Sequence, residues 1–158
     1  MVDKFKRITT HWTGGINKPN AHEKECYHFL VDDKGKITKG NHKPEDNLDC
    51  SSNYAPHCGG GNTGNIGVAM CGMINNNFPL TAPQVEATCK LVAELSKKYN
   101  IPINSNSILT HAEFGRKYPN SSSYGKIDID KIPCMCLYGI DVVGSKLRQK
   151  IAWYRQRL

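Results

Sequence analysis

Two histidines that lie far apart in the chain, His11 and His111, constrain its fold more than any other feature. His11 follows the β-prone run 7–10, and His111 follows the apolar and β-branched run 108–110, so each one ends a segment typical of a buried strand. Imidazoles at two strand ends, with a carboxylate from a nearby loop, can hold zinc through three protein ligands and leave a fourth position for water. That arrangement belongs to catalytic rather than structural zinc. The pattern therefore predicts a fold that brings the two strand ends together.

Further β-prone segments predict an α/β domain with a mixed, mainly five-stranded sheet, helices packed on its faces and the zinc site in a surface groove. The predicted strands are 7–10, 27–31, 36–38, 66–72 and 108–110. Asp33-Lys34-Gly35 has the composition of a turn and joins the second and third strands into a hairpin. The polar segment 41–64 is long for a connection within a compact domain, so it is expected to wall the functional site.

Two helices are predicted from capping and periodicity. Thr81-Ala82-Pro83-Gln84 has the form of a capping box, and apolar residues follow it at helical spacing to near Asn100. A second helix is expected at 142–157, with a basic face that is either solvated or rests on a membrane or wall polymer. Its apolar stripe consists of Val143, Leu147, Ile151 and Tyr154.

The length of 158 residues suits one compact domain, predicted to span residues 1–158 without a separate cell-wall-binding domain. Lysine and arginine (21) exceed aspartate and glutamate (14), and the pI of about 9.0 implies attraction to a polyanion such as nucleic acid, anionic membrane or bacterial wall. The sequence carries no recognisable nucleic-acid-binding motif, so nucleic acid is not expected as a partner. A monomer is favoured.

The first residues lack the apolar core of a signal peptide, and no segment has the length of a membrane span, so synthesis in the cytoplasm is expected. The seven cysteines are odd in number and irregular in spacing, which argues against a full disulfide framework. They are expected to be mostly reduced, and one or two bridges among Cys26, Cys50 and Cys58 remain open if the protein acts outside a cell.

The order of several segments resembles that of the type 2 N-acetylmuramoyl-L-alanine amidases, the family that includes phage lysozyme-like amidases and peptidoglycan recognition proteins. The resemblance covers most of the chain and depends on the order of the segments rather than on any one of them. The segments are the early strand ending in His11, Tyr27-His28-Phe29-Leu30-Val31, the turn Asp32-Asp33-Lys34-Gly35, His57 before a glycine-rich loop, Asn65-Ile66-Gly67-Val68-Ala69-Met70, Leu80-Thr81-Ala82-Pro83-Gln84, and Thr110-His111 followed by Lys126-Ile127-Asp128.

This resemblance implies zinc-dependent hydrolysis of the amide bond between the lactyl group of N-acetylmuramic acid and L-alanine in peptidoglycan. His11 and His111 match the two histidine ligands of the family, and Asp128 matches the third ligand, which is a cysteine in other members. Asp130 is the alternative candidate for the third ligand. Asp128 is preferred because Lys126 then precedes the ligand at the spacing at which phage-type members carry a functional lysine.

The resemblance also assigns roles beside the metal. Tyr27 matches a tyrosine that orients the attacking water or passes a proton, and Lys126 would stabilise the oxyanion of the tetrahedral intermediate. His57 and Asn62 look like groove residues that contact the sugar-peptide substrate. His28 is expected to be a structural hydrogen-bonding residue, whereas Trp12 either stacks on a sugar or fills the core.

Three alternatives compete with this interpretation. The first is a peptidoglycan-binding protein that keeps the groove without turnover. The chain retains every candidate ligand, the tyrosine and the lysine, and this argues against a protein that only binds. The second is a zinc nucleoside deaminase, because His111-Ala112-Glu113 and Pro133-Cys134-Met135-Cys136 approach the motifs H-x-E and P-C-x-x-C. Only one residue separates these cysteines, however, and Gly115 and Pro119 predict a loop where a deaminase needs a helix. The third, a dinucleotide fold suggested by the glycines of residues 59–64, fails because the strand follows this motif instead of preceding it.

The expected partner is peptidoglycan or soluble muropeptides. A phage or prophage endolysin, made in the cytoplasm and acting on the cell wall after release, is the expected setting, with a cytoplasmic recycling amidase as the second.

Overall fold

A mixed sheet of five strands forms the centre of the protein in the computed structural model, which describes residues 2–158. The strands are β1 (Arg7–Trp12), β2 (Phe29–Val31), β3 (Ile37–Lys39), β4 (Asn65–Met70) and β5 (Ile108–Thr110). They are arranged in the order β3-β2-β4-β1-β5, and only the β2–β3 hairpin is antiparallel. The predicted fold class and the predicted hairpin are therefore confirmed.

Strand β1 lies between two parallel neighbours, β4 and β5. Parallel strands present their carboxyl ends at one edge of the sheet, which is where open α/β sheets bind ligands. Thr10 pairs with Thr110, so the residues that follow, His11 and His111, come together at this edge. The topology alone thus unites the two histidines that the sequence singles out.

Four α-helices and a second, two-stranded sheet complete the fold. The helices are α1 (Ala21–Cys26), α2 (Ala82–Lys98), α3 (His111–Lys117) and α4 (Ile140–Arg155), and the small hairpin consists of β6 (Lys131–Ile132) and β7 (Leu137–Tyr138). Short 3-10 turns occupy Pro44–Leu48, Ile74–Asn76 and Pro133–Met135. Helix α2 begins with the predicted capping box of Thr81 and Gln84 and ends at Lys98.

One face of the sheet is apolar and is covered by α2 and α4. Alternate residues of a strand point to opposite faces, and on this side β4 contributes Ile66, Val68 and Met70. The covering helices contribute buried residues at helical spacing, as predicted for both of them. They are Val85, Cys89, Val92 and Leu95 of α2 and Val143, Leu147 and Ile151 of α4, with Tyr154 partly buried beside them.

The opposite face is polar and lies under the segment 41–64. Here β1 and β4 contribute buried Thr9, His11 and Asn65, and the Thr9 hydroxyl donates to Asn65 Oδ1 over 3.0 Å. The covering segment is held by fully buried Asn47, whose side chain exchanges hydrogen bonds with the backbone of Ala55. A connection without strands or α-helices therefore serves as a wall, as its length and composition predict.

Two short helices depart from the sequence prediction. The chain forms α3 where a loop is predicted, and Thr110 and Glu113 cap it with a reciprocal pair of hydrogen bonds. Gly115 does not break α3 because it serves close packing, since a Cβ there would lie 2.1 Å from the carbonyl oxygen of Ser123. Helix α1 is likewise capped by Asn20, and it ends just before Tyr27, which therefore precedes strand β2 instead of beginning it.

None of the helices in residues 2–158 combines the length and the apolarity that crossing a membrane requires. All seven cysteines fall within this range and none forms a disulfide bond. Cys58, Cys71 and Cys89 are buried, whereas Cys134 and Cys136 are exposed on the small hairpin.

A candidate metal centre at the edge of the sheet

Three buried side chains, His11, His111 and Asp128, converge at the carboxyl edge of the sheet. One ligand atom from each can be chosen so that all three lie within 4.8 Å of one another. His11 Nδ1 is 3.0 Å from Asp128 Oδ2, and His111 Nδ1 is 3.3 Å from Asp128 Oδ1. Two imidazoles and one carboxylate form a donor set that zinc accepts, with a fourth position left for another ligand.

Each of these residues is held by a different element. His11 lies near the end of the central strand β1, and His111 is the first residue of α3. Asp128 comes from the following loop, whose backbone is fastened to α3 because Ala112 N–H donates to the Asp128 carbonyl. The end of α3 that carries His111 is fixed in turn by Glu113, which accepts two hydrogen bonds from the Arg148 guanidinium of α4, over 2.9 and 3.0 Å.

The second ring nitrogen of His11 begins a chain of hydrogen bonds that leads away from the ligand cluster. His11 Nε2 lies 3.0 Å from His57 Nδ1, and His57 Nε2 lies 3.0 Å from the carbonyl oxygen of Asn65. His11 is fully buried and His57 is nearly so. The chain thus ends in a backbone carbonyl inside the protein.

A shorter chain of the same kind leaves His111. Its Nε2 lies 2.9 Å from the hydroxyl of Ser123, and this hydroxyl donates to the carbonyl oxygen of Gly59 over 2.7 Å. The connection Ser123–His111–Asp128 has the residue types of a serine hydrolase triad. The hydroxyl proton is directed at Gly59 and the oxygen is buried, however, so the serine is a hydrogen-bond support and not a nucleophile.

The electrostatics of the cluster favour a cation. Burial lowers the pKa of His11 to about 4 against the opposing effect of Asp128. Burial also disfavours the charged form of His111, but interactions with Asp128 and with Cys58 outweigh it and raise the pKa of His111 to about 9. Burial would raise the pKa of Asp128, yet hydrogen bonds to both histidines hold it below its usual range. A proton and a metal ion are alternatives for the same site, because both bind the lone pairs that face the carboxylate.

A groove of about 450 Å³ opens beside these residues. Its lining includes Tyr27, Lys126, His57, His111 and Asp128. The ring of Tyr27 is 5.1 Å from that of His11 between centroids, and burial raises the pKa of its phenol. Lys126 is exposed and lines the same groove.

The remaining residues that the sequence singled out lie partly at the groove and partly away from it. Asn62 lies outside the lining of this groove, and its side-chain oxygen accepts from Cys58 N–H, so its substrate contact stays a prediction. Asp130 does not belong to the ligand cluster. Trp12 joins the apolar core and also lines the groove, and His28 is bonded to Asn47 and to Gly67 N–H, as expected of a structural residue.

The position of Glu113 argues against the deaminase alternative. Helix α3 exists, but this glutamate is bonded to Arg148 and to the cap of the helix and does not face the groove. Cys134 and Cys136 are exposed on the hairpin and contribute to no ligand cluster among residues 2–158. Ser123, which contacts His111, has no role in the prediction from the sequence.

Comparison with protein families identifies a match over most of the chain. The model of the N-acetylmuramoyl-L-alanine amidase family matches residues 2–125. The matched part includes His11, Tyr27 and His111, and it ends before Lys126 and Asp128. Among curated proteins, none matches the chain.

Solved structures share the fold at low sequence identity. PlyL is 21% identical, with a TM-score of 0.56 over 94% of this chain and 84% of that one. The PlyG catalytic domain is 22% identical, with a TM-score of 0.56 over 98% of this chain and 85% of that one. The Drosophila peptidoglycan recognition protein SD is 16% identical, with a TM-score of 0.51 over 77% of this chain and 79% of that one.

Proposed function

Because this chain belongs to the N-acetylmuramoyl-L-alanine amidase family, we propose that it is a zinc-dependent amidase that cleaves peptidoglycan between the lactyl group of N-acetylmuramic acid and L-alanine. The observation that carries the proposal is the convergence of two histidine Nδ1 atoms on the two oxygens of Asp128. These residues fit a zinc ion because they are buried, close together and of the right chemical types. When bound, the ion supplies a Lewis acid that polarises the carbonyl and acidifies water.

His11, His111 and Asp128 would hold the ion, and Tyr27 acts on protons. Since burial raises the pKa of the Tyr27 phenol, its oxygen keeps its proton at neutral pH. The group is therefore a hydrogen-bond donor and not a base. We infer that its hydroxyl donates a hydrogen bond to the reacting oxygen in the groove. It can also pass its proton to the leaving nitrogen of L-alanine and regain a proton from the attacking water.

Lys126 would stabilise negative charge that develops on the substrate. Its ammonium lines the same groove as Tyr27 and Asp128, so it can lie against a substrate carbonyl there. Hydrolysis of an amide develops negative charge on the carbonyl oxygen, and a cation aimed at that oxygen lowers the barrier. We assign this role to Lys126.

Peptidoglycan as the substrate agrees with the net charge of +7, which attracts the protein to an anionic wall. We propose a phage or prophage endolysin that reaches the wall after release from the host cell. A recycling amidase is the alternative, and it would prefer soluble muropeptides over intact wall.

The test is to identify the bond that is cleaved. Zinc-loaded protein incubated with purified wall, and separately with soluble muropeptides, should release new amino termini on L-alanine and no new reducing sugars, and a chelator should stop the release. The His111→Ala variant is the matched control and should release none. Reducing ends would indicate a glycosidase, and sedimentation with the wall without release would indicate a binding protein. Either result would overturn the proposal.

A further inference from the structure

We infer that His57 is a positioning residue for the metal centre, and that Ser123 has the same role on the other side. His57 fixes the proton of His11 on Nε2 so that Nδ1 faces the metal, and Ser123 does this for His111. The inference rests on the proposed function and assigns to two residues of this chain a task that is distinct from contact with substrate.

His57 contacts a backbone carbonyl, a group that can only accept a hydrogen bond. The carbonyl oxygen of Asn65 lies 3.0 Å from His57 Nε2, so this nitrogen must carry a hydrogen and donate it. A neutral imidazole has one N–H, which leaves the Nδ1 atom of His57 as an acceptor. His11 Nε2, 3.0 Å away, must then donate to it. The remaining nitrogen of His11, Nδ1, faces Asp128 and is the atom that this bonding pattern leaves to bind zinc when the metal is present.

The same reasoning applies to Ser123. Its hydroxyl proton is directed at the carbonyl oxygen of Gly59, so its oxygen is free to accept from His111 Nε2. The Nδ1 atom of His111, which also faces Asp128, is then the nitrogen from which zinc displaces the proton. Two independent chains that each end in a backbone carbonyl therefore set the same ring nitrogen in both histidines.

The surroundings of His57 are shaped for its ring. A Cβ on Gly67 of strand β4 would lie 2.4 Å from His57 Cγ, so only glycine leaves room for the imidazole against the sheet. The Asn65 carbonyl is also held in place, because the side chain of Asn65 donates to Gly61 and accepts from Thr9. With only 5% of its surface exposed, His57 offers little surface to a substrate.

A support of this kind changes metal affinity more than it changes the protein fold. Partners that fix the orientation and tautomer of a ligating histidine are typically worth about 10- to 100-fold in metal affinity or activity. Loss of His57 should therefore weaken zinc binding while leaving all three ligands present. A residue that only contacts substrate would instead raise KM at unchanged zinc affinity.

The experiment measures zinc affinity by chelator competition in five variants of the full chain. His57→Leu and Ser123→Ala should each weaken zinc binding by about 10- to 100-fold, and His57→Gln should recover part of the loss because an amide both accepts and donates. Gly67→Ala should weaken zinc binding as well, since it displaces the ring without changing its chemistry. His28→Gln is the matched control, because His28 is a buried histidine without a bond to His11, and its zinc affinity should stay within about threefold of wild type.

A second readout is the nitrogen spectrum of the histidine rings in zinc-loaded wild-type protein. It should show metal on Nδ1 and hydrogen on Nε2 of both His11 and His111. Metal on Nε2 of either ring, or unchanged zinc affinity in folded His57→Leu and Gly67→Ala, would overturn the inference. Wild-type protein that binds no zinc would instead overturn the proposed function, so the two failures are distinguishable. If His57→Leu does not fold, His57→Gln and Gly67→Ala decide between the outcomes.

Discussion

The two faces of the central sheet are built from the same strands but for different purposes. Along β4, Ile66 and Val68 point to the helices α2 and α4, whereas Asn65 and Gly67 point to the segment 41–64. The helical face buries apolar side chains, each of which stabilises the fold by about 1.5–3 kcal/mol. The opposite face buries imidazoles and amides, which cost free energy unless every polar atom has a partner. The contrast separates the residues that keep the protein folded from the residues that we expect to act.

The largest expected effect is the loss of zinc and activity when a ligand on the polar face is removed. His111→Ala or Asp128→Ala should lose zinc and amidase activity together, because the two remaining ligands hold the ion poorly. Metal analysis and wall digestion measure both losses, and circular dichroism should show that the fold persists. Asp130→Ala is the control and should keep zinc and activity. If Asp130→Ala lost zinc and Asp128→Ala kept it, the third ligand would have to be reassigned.

The next largest effect is the loss of stability when a side chain on the apolar face is shortened. Leu147 of α4 is 3% exposed, so Leu147→Ala should lower the free energy of unfolding by about 2–5 kcal/mol through lost burial and the cavity it leaves. Denaturant unfolding measures this loss. Folded Leu147→Ala protein should still bind one zinc ion per chain. Val142→Ala, at an exposed position of the same helix, should change stability by less than about 0.5 kcal/mol.

A third prediction sharpens the comparison within the groove. Tyr27→Phe and Lys126→Ala should each lower the rate constant of amide hydrolysis by roughly a hundredfold, because they remove a proton donor and a cation and leave the zinc ligands intact. Zinc content and the unfolding midpoint should match those of wild type. Near-normal turnover in either variant would show that its side chain does not act in the reaction.

The smallest expected effect is a pH dependence of zinc affinity. The neighbouring Asp128 raises the pKa of His111 to about 9 despite burial, so below that pH a proton occupies the lone pair that zinc requires. Lower pH therefore favours the proton, and higher pH favours the metal. Apparent zinc affinity should rise by up to about tenfold per pH unit between pH 6.5 and 8.5. Chelator competition at three pH values measures the slope, and a flat profile would mean that metal binding displaces no proton from His111.

The predictability of the two faces differs in the same way. Periodicity and the Thr81 capping box sufficed for α2 and α4, because an apolar stripe repeats along one element and local spacing records it. The capping boxes of α1 and α3 were also present in the sequence, at Asn20 with Glu23 and at Thr110 with Glu113. Gly115 and Pro119 indicated a loop at α3 in spite of its capping box. Glycine at position 115 is instead needed for close packing against Ser123.

The polar face could be predicted only in part. Its ligand candidates follow strand-like runs, so His11 and His111 are visible in the sequence. The bond from His57 to His11 spans 46 positions, and the bond from Ser123 to Gly59 spans 64. Nothing local records such contacts, which arise only when a segment without regular structure folds over the sheet. For that reason the sequence indicates a place for His57 in the groove, which it lines, but not its bond to His11.

The bond between Arg148 and Glu113 also has a consequence for the order in which the protein matures. Arg148 lies on the last helix, and it fastens the turn that presents His111. His11 leaves the ribosome first, yet the segments that face it, and the arginine that steadies one of them, are synthesised much later. We therefore expect a nascent chain to carry an incompletely held His11, His111 and Asp128 cluster until α4 has been synthesised.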